Sequence, residues 1–196
     1  GVEFRKGGST QVVTARREVI LCGGAINSPQ LLMLSGVGPG RHLREHGIEV
    51  LVESPGVGQN LQDHPVAGTL VYTRNTTDLA EAVSLGNLLR WRTRRAGPLV
   101  SNVGEGGAFY ASRDDLALPD IQIHVAPTGF YENGLHEPVR RAVTVAPTLV
   151  NVRSRGRIRL RSADPGWHPE IDPAYFDDRA DLEAMVAGYR RMLDLV

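Results

Sequence analysis

Four apolar residues in succession, Val19-Ile20-Leu21-Cys22, run into Gly23-Gly24. Alternation would mark a strand with one wet face. An unbroken apolar run closed by glycines marks a strand covered on both faces, as in a parallel α/β sheet. The run therefore predicts a strand over residues 18–22, with Cys22 as a small buried hydrophobe. A strand-to-helix turn should follow: Asn27 or Ser28 can cap, Pro29 has the fixed φ suited to a first helical position, and residues 30–34 form a helical run stopped by Ser35-Gly36. Two alternating segments ahead of it, residues 1–5 and 10–15, read as strands joined through Gly7-Gly8.

Beyond that point the pattern shifts in stages. A short helix over 41–46 and a strand over 48–52 lead into residues 54–65, which are rich in turn formers and have no period. Loops of that length are usually functional or disordered. From Val66 onward strands outnumber helices: 66–72, 106–110, 121–125, 142–152 and 157–161, with one helix over about 78–95. Antiparallel pairing is expected there, so a domain boundary is placed near residue 65. A final helix over 179–196 sets Leu182, Met185, Val186, Tyr189, Met192, Leu193 and Val196 at helical spacing. The expected fold class is thus α/β followed by α+β.

Charge narrows the partners. With 22 basic and 22 acidic residues among 196, the formal net charge is zero, and no long-range field recruits nucleic acid or an anionic membrane as the main partner. No apolar run approaches the roughly 20 residues that span a bilayer. One cysteine allows neither an internal disulfide nor a multi-cysteine zinc site.

The turn over residues 23–29 offers free backbone N–H groups and the positive end of a helix to an anion or nucleotide, although a tight turn with a cap would look the same. The dinucleotide fingerprint Gly-x-Gly-x-x-Gly is absent, since Gly56-Val57-Gly58 continues into Gln59-Asn60-Leu61. His42 and His46 lie four apart on one helix with no third ligand in register, which reads as solvated helix surface. Arg153, Arg155, Arg157, Arg159 and Arg161 alternate with smaller or apolar residues and read as one wet strand face. Arg90, Arg92, Arg94 and Arg95 crowd a helix C-terminus, where cations complement the dipole. Asn75-Thr76-Thr77 has sequon spacing.

The stretch Gly24-Ala25-Ile26-Asn27-Ser28-Pro29-Gln30-Leu31-Leu32-Met33-Leu34-Ser35-Gly36-Val37-Gly38 resembles, along its whole length, the second signature of the glucose-methanol-choline (GMC) flavin oxidoreductases. Residues 55–64 resemble the same family's next element, and 154–162 with Asp172-Pro173 resemble its later part. Their order and spacing agree as well, and the texture is closest to choline-dehydrogenase-like members.

The resemblance implies an internal fragment of an FAD-dependent oxidoreductase acting on the CH–OH group of an alcohol, with the remaining segments of its own chain as partners. Residues 1–65 would be the middle of a Rossmann-like FAD-binding domain, 66–178 a substrate domain on a mostly antiparallel sheet, and 179–196 a helix cut by the chain end. The glycine-rich pyrophosphate loop and the catalytic His would lie outside residues 1–196, so no catalytic residue and no metal ligand is expected within them. By the same resemblance Gly24, Ala25, Ser28 and Pro29 line the adenosine side of FAD, and Asn60, Asp63 and His64 its cover. Glu105, in the segment 97–109 that resembles the choline-type substrate wall, faces the substrate; the alternative is an exposed acid at a strand start. A non-catalytic fragment and a hydroxynitrile lyase on the same fold are the other functions this family resemblance leaves open.

Overall fold

The computed structural model describes residues 1–74, 78–130 and 141–196, so the Asn75 sequon falls outside the described residues. The chain divides into two units that interleave in sequence. One comprises Gly1–Leu61 with Gly156–Asp172, the other Gln62–Arg155 with Pro173–Val196. Residues 156–172, expected within a contiguous second block, therefore belong with the first. The cause is long-range pairing that no local pattern announces. β10 (Gly156–Arg159) pairs antiparallel with β5 (Gln59–Leu61) on one side and β11 (Glu170–Asp172) on the other.

In the first unit β1 (Val2–Lys6) and β2 (Ser9–Val13) form an exposed hairpin. Gly7 and Gly8 both take positive φ, at 57° and 81°, the conformation a two-residue primed turn demands. Helix α1 spans Gly24–Leu34 and α2 spans Gly40–Glu45. A short parallel pair joins β3 (Val37–Gly38) to β4 (Val52–Glu53). The core gathers Met33 of α1, Leu43 of α2, and Ile158 and Leu160 of the β10 segment, all at most 3% exposed.

Two expectations fail here. Residues 18–22 form no ladder, and Ile20 and Cys22 are exposed. A strand of this kind is defined by neighbours on both sides, and none of the described residues supplies them. Helix α1 also starts earlier than expected, so Pro29 stands inside it rather than at its first position. Gly24, at φ +73°, lets the chain turn sharply from the preceding segment into the helix.

The second unit is a four-stranded antiparallel sheet in the order β6-β9-β8-β7, made of β6 (Thr69–Tyr72), β9 (Ala142–Leu149), β8 (Ile121–Ala126) and β7 (Gly106–Tyr110). Helix α4 (Arg179–Leu193) lies on one face. Met185 packs with Ile121 and Leu149, and Met192 with Ile123 and Val145. The expected apolar stripe is only half right. The buried edge of α4 is Asp181, Met185, Gly188 and Met192, while Leu182, Val186 and Leu193 stay exposed. Gly188 sits under the side chain of Ile121, where an added Cβ would come within about 3.0–3.2 Å of three of its carbons. Tyr110 and Tyr189 are half-buried against this core and satisfy their hydroxyls, the first by donating to the Gly188 carbonyl at 2.7 Å, the second with Thr69 Oγ1 at 2.6 Å. The remaining helix, α3 (Leu85–Arg94), is capped by Ser84, whose Oγ accepts from Asn87 N.

Asp181 ties α4 to the loop that leaves β9. It is 2% exposed, and its carboxylate accepts from Arg153 N, from Ser154 N at 2.7 Å and from Ser154 Oγ at 2.6 Å. Burial works to raise its pKa. The Ser154 hydroxyl and the two backbone N–H groups outweigh that and hold it below the usual carboxylate range.

Candidate functional site

The residues singled out by sequence fall into three groups. Gly24, Ala25, Ser28 and Pro29 all sit in the opening turns of α1. Gly24 and Ala25 are exposed. Ser28 Oγ accepts from Gly23 N at 3.0 Å and so spends itself on the turn, and no side chain caps the helix. The first-turn N–H groups are left as donors at the positive end of the helix. Nothing stands within 4 Å of where a Cβ on Gly24 would be, so a ligand can approach the backbone closely. Backbone donors, a positive dipole end and an open glycine suit an acceptor-rich, phosphate-bearing group such as FAD.

Asn60, in the same unit, is exposed and left-handed at φ +62° within β5. Asp63 and His64 belong to the other unit and are exposed. The Asp63 carboxylate accepts from the Tyr175 hydroxyl and from His64 N. The tyrosine bond first, and the backbone N–H second, hold Asp63 below its ordinary pKa, while the same bond pushes Tyr175 up to about 12. At neutral pH the pair is a fixed carboxylate with a fixed phenol donor. Sequence reasoning missed Tyr175, because its partner Asp63 lies 112 positions away.

Glu105 is exposed, immediately ahead of edge strand β7. Register places Gly106 level with Val125, Val145 and Thr69. Leu149 N donates to Pro65 O, which puts Asp63 and His64 beyond the other end of the sheet, where Tyr110, Ile121 and Leu149 align. The sheet therefore does not bring Glu105 to Asp63 and His64.

His42 corrects a further expectation. It is 8% exposed rather than solvated. Its Nε2 accepts from Leu160 N at 3.0 Å, and its Nδ1 lies 3.1 Å from Arg159 Nη2 and 3.8 Å from Glu45 Oε2. A residue bonded to β10's continuation is hidden by the same pairing that moved residues 156–172 into this unit. Burial first, then the Arg159 guanidinium, push its pKa below 6.5. Both native and unfolded His42 are neutral above that value. As pH falls below about 6.5 the unfolded chain takes up a proton that the native site resists, so stability drops from there down to the lowered native pKa. The expected result is a Tm that falls between pH 7 and 5 by more in the wild type than in His42→Gln, read by thermal scans of both; parallel curves would remove His42 from the acid sensitivity. The five arginines do not share one strand face: Arg157 and Arg159 lie in β10, while Arg153 and Arg155 precede it in the other unit. Arg153, Arg155, Arg157 and Arg161 are exposed and Arg159 is half-buried beside His42. No group of three or more metal-ligating side chains occurs among the described residues.

Comparison with known proteins places these features. A family model described as GMC oxidoreductase matches residues 1–66, and a second with the same description matches 152–196. An uncharacterized GMC-type oxidoreductase of Mycobacterium tuberculosis is 47% identical over 192 residues, covering 97% of this chain and 36% of that protein. Choline oxidase of Arthrobacter globiformis is 40% identical over 193 residues, covering 96% and 32%. A variant of formate oxidase from Aspergillus oryzae superposes with a TM-score of 0.80 at 29% identity, covering 96% of this chain and 38% of that one. The chain thus spans about a third of the length of the curated relatives it matches. With family models matched at both ends and relatives aligned over nearly all of its residues, the chain belongs to the GMC oxidoreductase family.

Proposed function

We propose that this chain is part of an FAD-dependent oxidoreductase that acts on the CH–OH group of a small alcohol. The observation that carries the reading is the turn at Gly23–Ser28, which combines an open glycine at φ +73° with an uncapped helix N-terminus inside the segment matched by the first GMC oxidoreductase model. FAD, when bound, supplies a two-electron acceptor for the hydride leaving the alcohol carbon. Gly24 and Ala25 present backbone donors to it, Ser28 holds the turn in shape, and Pro29 stiffens the helix behind it. Asn60, Asp63 and His64 contribute to its cover, Asp63 as a carboxylate oriented by Tyr175. Glu105 stands on the substrate side, where a carboxylate favours a cationic alcohol once water is excluded. The two units correspond to a cofactor part, Gly1–Leu61 with Gly156–Asp172, and a substrate part built on the β6-β9-β8-β7 sheet.

The alcohols named for relatives support the substrate class, among them choline for the Arthrobacter globiformis oxidase and an acceptor-linked alcohol dehydrogenase of Pseudomonas putida at 40% identity. The test is anaerobic mixing of the full-length protein with matched neutral and cationic primary alcohols. Flavin released on denaturation should equal one per chain, and at least one alcohol should bleach the visible flavin band. Flavin-loaded protein that no alcohol reduces would overturn the activity, and protein purified without flavin and unable to take it up would overturn the cofactor.

A further inference from the structure

His42 is buried between its own helix, α2, and the chain that continues from β10. Leu160 N donates to its Nε2 at 3.0 Å, so Nε2 keeps the lone pair and the hydrogen of the neutral ring sits on Nδ1. That Nδ1 lies 3.1 Å from Arg159 Nη2 and 3.8 Å from Glu45 Oε2, the second beyond hydrogen-bond reach. His46 stands edge-on to the ring, with centroids 4.7 Å apart. Arg41 and Arg157 line the same cleft, the latter paired with Asp172 at 3.4 Å.

We propose that His42 is a proton-operated latch on β10: when its ring becomes a cation, the backbone past β10 is released and the β5-β10-β11 sheet loosens. The lone pair that takes the proton is the one that holds Leu160 N. The cation would therefore aim an N–H at another N–H 3.0 Å away, and the bond cannot survive. On the other edge of the ring the Arg159 guanidinium repels the same charge. Burial and that guanidinium keep the closed ring neutral, whereas an opened ring titrates near 6.5, so falling pH favours the open form and rising pH restores the closed one. The release is carried along the backbone. Leu160 follows directly on β10, whose Gly156 and Arg157 pair with Leu61 and Gln59. Asn60, left-handed at φ +62°, stands between those two pairs where the register shifts, so β10 holds its backbone on either side. With Asn60 in the cover of FAD, acid weakens flavin retention; that consequence, unlike the latch itself, rests on the function proposed above.

The experiment is amide hydrogen exchange of the full-length protein, corrected for the intrinsic rate at each pH. Opening around Leu160 should rise about fivefold between pH 7 and 5.5 in the wild type, while β8 in the other unit stays unchanged. His42→Gln, whose amide oxygen accepts from Leu160 N but takes up no proton, should be flat. Arg159→Gln removes a charge that opposes the cation and should shrink the rise; Glu45→Gln removes one that favours it and should enlarge the rise. A merely structural histidine predicts no such opposed pair, and the pair decides the matter if His42→Gln does not fold. Exchange at Leu160 that ignores pH overturns the proposal, as does an equal rise in β8, a His42→Gln protein that keeps the full rise, or two charge variants that respond alike. Flavin fluorescence of the same samples reads release of the cofactor. Opening without release supports the latch and counts against Asn60 as cover.

Discussion

Asp181→Ala is expected to destabilise the protein by about 3–5 kcal/mol, the scale of removing the acceptor from a buried charged network. The substitution strands two backbone N–H groups, of Arg153 and Ser154, together with the Ser154 hydroxyl, in a site where Asp181 is 2% exposed. The two backbone donors lie on the loop that links β9 to β10, so finding a new protein acceptor for them requires that loop to shift. Asp178→Ala provides the scale for comparison. It removes an ordinary helix N-cap, whose side chain accepts from Ala180 N at 2.9 Å, and should cost about 1 kcal/mol. Asp181→Asn should fall between the two, because the amide keeps one acceptor and turns an NH2 toward donors. Urea midpoints of the three variants in the protein read this directly, and a loss below about 1 kcal/mol for Asp181→Ala would mean that the bonds contribute little beyond what water supplies. Because the native carboxyl titrates below its ordinary range, this stability is present at neutral pH and lost only as pH falls through the lowered native value.

Gly58→Ala is the second large effect, at about 3 kcal/mol or more. Gly58 is buried at φ +79°, where any L side chain costs about 1–2 kcal/mol on its own. Sterics add to this, because the new Cβ would fall well inside contact distance of the Ile158 carbonyl oxygen. That oxygen belongs to a backbone held by its own bond, Ile158 N to Gly58 O at 2.6 Å, so relief requires β10 to move away from the core it completes with Met33 and Leu43. Gly56→Ala is the control, since its Cβ meets open space and its φ is not positive. A Gly58→Ala protein with an unchanged Tm would show that the two segments can slide apart freely.

Elements whose determinants are local are legible in the sequence. The strand expected over 106–110 is β7, Gly106–Tyr110; α4 begins at Arg179 as its Asp178 cap requires; and the alternation of arginines with Ile158 and Leu160 marks one wet and one buried face. What escapes depends on partners remote in sequence. Val19–Cys22 has the composition of a doubly covered strand, yet strand structure is made by neighbours. Met185 and Leu182 are both apolar on one helix, and only the position of the sheet selects Met185 for burial. His42 reads as solvated because the group that hides it, the Leu160 N–H, lies 118 positions away. At the candidate site the glycine turn is visible in the local chemistry, but the cap expected from Asn27 or Ser28 is not made and the helix opens uncapped at Gly24; the Asp63–Tyr175 bond joins residues 112 apart and leaves no local trace.

The interleaving of the two units bears on the order of events at the ribosome. Translation delivers Gly1–Leu61 ahead of the sheet strands, but that part lacks Ile158 and Leu160 and cannot close its core. The sheet strands follow, and they in turn await Met185 and Met192 of α4. The first unit therefore stays open until Leu160 has emerged, and the second until Met192 has. Up to that moment Met33, Leu43, Ile121 and Leu149, all buried in the end, are open to the solvent and to one another. Synthesis of this protein thus passes through a long interval in which a holdase chaperone has apolar chain to grip, and slowing elongation lengthens that interval instead of giving either half time to fold.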